Sequence, residues 1–96
     1  MRHSYQITVA ERRADPAAAT ATAAAALSFD FENHDDLFEI VDRVRARALF
    51  DTDAEAKSFG VGLKLLGQVL IAHRDDELFK EFAASFGRFM KTLKSR

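Results

Sequence analysis

The chain has 96 residues, of which 48% are hydrophobic, so it is long enough to form one core and too apolar to be disordered as a whole. It contains no cysteine, which excludes disulfide bonds, thiolate metal sites and a cysteine nucleophile. Its 14 basic and 15 acidic residues nearly cancel, so the charge does not favour nucleic acid or an anionic membrane as a partner. With no signal-like or membrane-spanning apolar run, we expect a single cytoplasmic domain over residues 1–96.

The first third of the chain predicts an antiparallel β-hairpin over about residues 3–32. Apolar side chains occupy every second position in both arms, namely Tyr5, Ile7, Val9, Leu27, Phe29 and Phe31. Residues 12–22 between the arms are rich in Ala and Thr around Pro16, which is typical of a mobile loop. Because two strands alone are marginally stable in water, we expect the apolar face of the hairpin to pack on helices.

Two helices are predicted next, over about residues 34–49 and 53–73. Asn33 is the expected N-cap of the first helix, with acidic residues in its first turn. Thr52 and Glu55 have the spacing of a capping box for the second helix. That second helix is apolar around most of its circumference, so we expect it to be buried on most sides, as the central element or between two subunits.

Glycines 60, 62 and 67 interrupt the second helix. Gly60-Val61-Gly62 lacks the third glycine of a dinucleotide motif and the Ser or Thr of a phosphate loop. Each interior glycine costs a helix about 1 kcal/mol relative to alanine, so close packing of another backbone is the favoured explanation for Gly60 and Gly67. The sequence leaves open whether the helix is continuous through Gly60 and Gly62.

A third helix is predicted over about residues 76–94. Its apolar side chains fall within an arc of about 120° at 100° per residue, which is typical of a core-facing helix. These side chains are Leu78, Phe79, Phe82, Phe86, Phe89, Met90 and Leu93. If this face lies in the core, Phe82→Ala should cost ~3–5 kcal/mol. The predicted fold class is therefore α+β, a two-stranded hairpin on three amphipathic helices in the order β-β-α-α-α.

Two clusters of histidine and aspartate are the candidates for chemistry. His34 precedes Asp35 and Asp36, and His73 lies shortly before a second acidic pair, so either imidazole has carboxylates nearby for metal binding or acid–base work. Both clusters lie at helix boundaries, where Asp and His stabilise helix ends without a ligand, and we favour that structural explanation. No enzyme class, cofactor or metal is indicated.

The chain resembles a small bacterial family catalogued as a domain of unknown function, DUF3861, over nearly its whole length. The most specific parts of the resemblance are Asn33-His34-Asp35-Asp36-Leu37 and Val61-Gly62-Leu63-Lys64-Leu65-Leu66-Gly67. The Ala/Thr-rich hairpin loop departs from the family pattern. The resemblance implies a short stand-alone cytoplasmic protein and no particular activity.

Two functions from different classes remain. The first is a non-catalytic interaction module, in particular a homodimer that pairs through the second helix at Val61, Leu65 and Val69 or by extending the sheet. The second is a small-ligand, metal-binding or catalytic site around His34, Asp35 and Asp36. Nucleic-acid and membrane binding are disfavoured by the balanced charge.

Overall fold

A computed structural model describes residues 2–12 and 25–95. In this part of the chain two strands are followed by three helices, which confirms the predicted α+β class and the order β-β-α-α-α. The elements are β1 (His3–Ala10), β2 (Ala26–Asn33), α1 (Leu37–Ala46), α2 (Asp53–Ala72) and α3 (Glu77–Lys94). They form two compact units, with the hairpin in Met1–His34 and the helices in Asp35–Arg96. Apart from Arg12, the predicted mobile loop over residues 12–22 lies outside the described residues.

The register of the hairpin brings the apolar positions of its two strands together. β1 and β2 are antiparallel, and the facing apolar pairs are Tyr5 with Phe31, Ile7 with Phe29, and Val9 with Leu27. Polar pairs lie on the opposite face, where the hydroxyls of Thr8 and Ser28 are 2.9 Å apart. Period-two alternation therefore identified both faces correctly.

The helix α1 begins later than predicted because β2 continues through Asn33. Asn33 is buried and pairs with His3 in the sheet, so it does not cap the helix. Asp36 is the N-cap instead, and its carboxylate accepts a hydrogen bond from the Phe38 amide at 2.9 Å. At the other end the backbone of Ala48 has a φ of 53°, a left-handed conformation that ends the helix.

The first two helices pack closely through Gly60. A Cβ atom at this position would lie 3.4 Å from Val41 Cγ2 and 3.6 Å from Val44 Cγ2 of α1. Val41 and Val44 are both buried, as are Ala56 and Gly60 of α2. The absence of a side chain at Gly60 thus lets α1 lie close to α2, as the sequence predicts.

The helix α2 is continuous through all three of its glycines, but it is not buried on most sides. Only Ala56, Gly60 and Leu70 are buried among its residues. Within the single chain this corrects the expectation of a central helix buried on most sides, whereas its burial between two subunits stays a prediction. The 10 residues of α1 cannot cover a helix of 20 residues, and α1 occupies only the side that carries Gly60.

The helix α3 runs antiparallel to α2. Phe59 near the start of α2 contacts Phe89 in the second half of α3, with ring centroids 6.2 Å apart. At the other end, His73 lies beside Phe79 with centroids 5.7 Å apart. The sequence predicts that the apolar stripe of α3 faces the core. This prediction is wrong for the single chain, because no residue of α3 is buried.

Candidate functional site

The two carboxylates of the predicted polar site make contacts that stabilise the helices. The Asp36 carboxylate caps α1, and the Asp35 carboxylate accepts a hydrogen bond from Lys64 Nζ of α2 at 2.5 Å. The Lys64 side chain is largely covered, so this ion pair fixes the start of α1 against α2. His34 follows β2 and is exposed.

His73 is the C-cap of α2, where its amide donates to the Val69 carbonyl oxygen at 3.1 Å. Its ring lies against Phe79. Within residues 2–12 and 25–95, no three His, Asp or Glu side chains converge so that they could hold a metal ion. A ligand site around His34, Asp35 and Asp36 stays a prediction, and these contacts need no ligand to explain them.

The strongest electrostatic cluster joins the end of α1 to the start of α2. The Arg45 guanidinium donates to both carboxylate oxygens of Asp53, at 2.6 and 3.2 Å, and to Asp42 at 2.8 Å. Lys57 Nζ lies 3.1 Å from the same Asp53 carboxylate. The hydrogen bonds from Arg45, and then from Lys57, lower the pKa of Asp53 to about 2. The cluster is exposed and internally paired, which is typical of a structural ion-pair network.

Arg43 and Arg45 of α1, and Arg47 at its C-cap, contact different partners. Arg43 pairs with Glu39 at 3.6 Å, whereas Arg45 pairs with Asp53. Arg47 donates to the Leu93 carbonyl oxygen at 2.6 Å, which ties α1 to the last turn of α3. They do not converge on a common point, so they do not form a phosphate site.

The predicted interface residues of α2 are at least partly accessible. Val69 is 46% exposed, and Val61 and Leu65 are partly covered. Leu66, one turn along from Gly62 on the same side of the helix, is 42% exposed. Gly62 itself has open space where a Cβ would stand. This side of α2 therefore presents apolar surface at Leu66 and Val69, with Gly62 at its N-terminal end.

The larger exposed surface lies on α3, where the sequence predicts core. Leu78, Phe82 and Phe89 are 78%, 49% and 45% exposed. At 100° per residue these three occupy one edge of the apolar stripe. The side chains of the other edge are partly covered, and they are Phe79, Ala83, Phe86, Met90 and Leu93. Phe89 contacts Phe59 of α2, but the edge that carries Leu78, Phe82 and Phe89 is the more exposed of the two.

The exposed apolar side chains of α2 and α3 lie at matching levels along the helix pair. Phe59 and Phe89 are in contact, and Leu66 and Phe82 each lie two turns beyond that contact, toward the loop that joins the helices. Because the helices are antiparallel, this step brings Leu66 and Phe82 to the same level. We call the resulting set the exposed apolar surface, and its members are Leu66, Val69, Leu78, Phe82 and Phe89.

A signal for the α3 part of this surface was present in the sequence. Leu78, Phe82 and Phe89 are four and seven residues apart, which is a spacing found along a coiled-coil seam. Hydrophobic periodicity marks both core and interface, so it could not separate them.

In the described part of the chain no helix combines the length and the apolar character that crossing a membrane requires. Comparison with protein families matches residues 3–95 to a domain of unknown function with a solved structure, DUF3861. A crystal structure of a protein of unknown function from Pectobacterium atrosepticum is 40% identical, covers 100% of both chains and superposes with a TM-score of 0.83. The comparison with curated proteins found no match.

Proposed function

The chain belongs to the DUF3861 family, and from that premise we propose that it is a non-catalytic interaction module that associates with a second copy of itself. The proposal concerns the exposed apolar surface of α2 and α3. The observation that carries it is that α3 has no buried residue although seven large apolar side chains line one stripe of it.

Leaving this surface in water is costly. Burial of a fully exposed phenylalanine contributes ~1.5–3 kcal/mol, so covering the accessible halves of Phe82 and Phe89 would recover a substantial part of that in each copy. The two half-exposed rings together present on the order of 200 Å², taking 150–250 Å² for each aromatic side chain. Leu66, Val69 and Leu78 enlarge the patch to a size that is typical of interaction sites.

A second copy is the partner that this chemistry favours. Around a two-fold axis the same surface meets itself, so each apolar side chain finds apolar surface on the other copy. The patch is at the small end of specific interfaces, and we therefore expect a dissociation constant in the micromolar range, ~1–100 µM.

Sedimentation velocity of the full chain from about 1 to 500 µM tests the proposal, since this range brackets a micromolar dissociation constant. We expect a shift from monomer to dimer across these concentrations. Phe82→Ala and Phe89→Ala should each move the transition to higher concentration, because each removes an aromatic ring from the interface.

Phe38→Ala is the matched control, because Phe38 is also strongly exposed but lies on α1, outside the exposed apolar surface. It should leave the association unchanged. A wild-type chain that stays monomeric throughout would contradict the proposal. Dimerisation that responds to Phe29→Ala in the hairpin, and not to Phe82→Ala, would place the interface on the sheet instead.

A further inference from the structure

We infer that the two copies pair through α3 in an antiparallel arrangement, with the two-fold axis near Ser85. This inference rests on the proposed function and names the geometry of the same surface. It follows from three features of α3, namely the spacing of its exposed side chains, the position of its charges, and the side on which α2 covers it.

The exposed edge of α3 has the spacing of a coiled-coil seam. Its residues recur at alternating intervals of four and three, as Leu78, Phe82, Ser85, Phe89 and Thr92. In an antiparallel pairing centred on Ser85, Leu78 of one copy lies level with Thr92 of the other, and Phe82 lies within one residue, about 1.5 Å along the axis, of the level of Phe89. The two aromatic levels flank the axis symmetrically, so the largest side chains are all covered.

The charges next to this seam are complementary only in the antiparallel orientation. Glu81 and Arg88 occupy equivalent positions beside the seam, in successive heptads. Antiparallel pairing about Ser85 sets Glu81 of each copy beside Arg88 of the other, which gives two equivalent ion pairs. A parallel pairing would instead set the acidic half of one helix beside the acidic half of its partner.

Both charged groups are accessible for such a contact. Glu81 and Arg88 are exposed, and no ion pair within residues 2–12 and 25–95 involves either of them. Arg88 Nη2 donates to Ser85 Oγ at 3.0 Å, which holds the guanidinium beside the inferred axis. The surface therefore places a cation where the partner's carboxylate would arrive.

The covered side of α3 is compatible with this pairing. Phe86 lies against Gly67 of α2, with its ring 3.5 Å from where a Cβ would stand, so this edge of α3 is occupied within the chain. The seam centred on Ser85 lies about 100° around the helix from Phe86, at 100° per residue, so it lies to the side of that contact, and its Phe89 also contacts α2, through Phe59. Leu66 of α2 is also exposed, at the level of Phe82, and extends the interface beyond α3.

Charge exchange at these two positions tests the inference. In Glu81→Arg, two arginines face each other across the axis at both ends of the seam, and in Arg88→Glu two glutamates do so. We expect each single variant to dimerise roughly ten-fold more weakly than the wild type, since every change occurs twice in the two-fold dimer. The exchanged double variant E81R/R88E should recover wild-type association, because the pairs are reversed but intact.

Mixing the two single variants is the decisive experiment. Each copy of E81R then faces a copy of R88E with opposite charges at every contact, so a heterodimer should form at concentrations where neither variant dimerises alone. Sedimentation of the mixture detects it, and circular dichroism and thermal melting of each variant confirm that the exposed substitutions leave the fold intact.

The outcomes separate this inference from the proposed function. A wild-type dimer whose association is unchanged in both single variants would overturn the antiparallel pairing and leave self-association standing. Single variants that fail to dimerise and are not rescued by mixing would also overturn the pairing. A wild-type chain that is monomeric up to about 500 µM, far above a micromolar dissociation constant, would overturn both.

Discussion

The contact between α1 and α2 differs sharply from the contact between α2 and α3, although both are made by amphipathic helices. The first is close and buried, with Val41 and Val44 of α1 lying against Gly60. It is reinforced by ion pairs at both ends, from Lys64 to Asp35 and from Arg45 to Asp53. The second rests on large rings whose outer faces remain in water, such as Phe89 beside Phe59.

The difference teaches that an apolar stripe is buried only where a neighbour can approach closely. A glycine on α2 allows α1 to approach until the branched side chains are enclosed. The bulky phenylalanines of α3 keep α2 and α3 farther apart, so only part of the apolar stripe of α3 is covered. One contact is complete within the chain, whereas the other leaves surface for a second molecule.

The largest expected effect is at the most enclosed side chain. Leu70 is 3% exposed, so Leu70→Ala should lower the free energy of unfolding by ~2–5 kcal/mol. Leu78→Ala removes the same atoms from an exposed position on α3 and should change the free energy of the single chain by less than about 0.5 kcal/mol. Urea denaturation at low micromolar concentration measures both, and equal losses would contradict the difference in burial between Leu70 and Leu78.

Phe82→Ala tests how far the α3 contact falls short of a core. The sequence predicts a cost of ~3–5 kcal/mol, but half of this side chain is in water, so we expect about 2 kcal/mol in the dilute chain. The cost should rise with protein concentration, because association stabilises only the folded state that presents the ring. Urea denaturation at two protein concentrations measures this change in the cost. A loss of ~3–5 kcal/mol in dilute solution would mean that Phe82 is a core residue of the single chain.

Substitution of Gly60 tests the close approach of α1 to α2. Gly60→Leu should cost ~1–3 kcal/mol, because the added side chain must displace Val41 and Val44. Gly60→Ala is the matched control, since its methyl group would be at ordinary contact distance and alanine favours a helix. Thermal melting of both variants gives the comparison, and a tolerated leucine would show that the approach is looser than the structure indicates.

Substitution of Gly62 sharpens the contrast between the two sides of α2. This position has open space, so Gly62→Ala should raise the stability of the dilute chain by about 1 kcal/mol through helix propensity alone. The thermal midpoint measures the gain. Loss of stability at low concentration would mean that a neighbour of the same chain occupies that space.

The smallest expected effect concerns the ion pairs that reinforce the α1–α2 contact. The pKa of Asp53 is lowered to about 2 in the folded chain, so the unfolded chain takes up its proton at a higher pH. Its contribution is therefore fully present above about pH 4, the ordinary pKa of an aspartate, and is lost as the pH falls through about 2. Asp53→Asn should reduce this loss of stability with acid, measured as urea midpoints at pH 7 and pH 2. An unchanged acid dependence would show that the exposed cluster contributes nothing.

Local chemistry allowed much of the fold to be predicted. Alternation predicted the two strands and their apolar face, and Thr52 caps α2 as expected, accepting from the Glu55 amide at 3.2 Å. The start of α1 was predicted wrongly, because Asn33 and Asp36 are both good caps and only the length of the strand pairing decides between them. Asp36 and His73 lie at helix ends, in agreement with the structural explanation, and a ligand role for them stays a prediction.

The sequence by itself determined which segments are strands and helices, where most of them begin and end, and which face of each is apolar. These properties depend on neighbours within a few residues, through hydrogen bonding, capping and side-chain periodicity. Only the tertiary structure decided that α2 is half exposed and that Phe82 and Phe89 lie at an open edge. Burial depends on how closely distant helices approach, and that distance is set by pairs such as Gly60 with Val41, which no local pattern records.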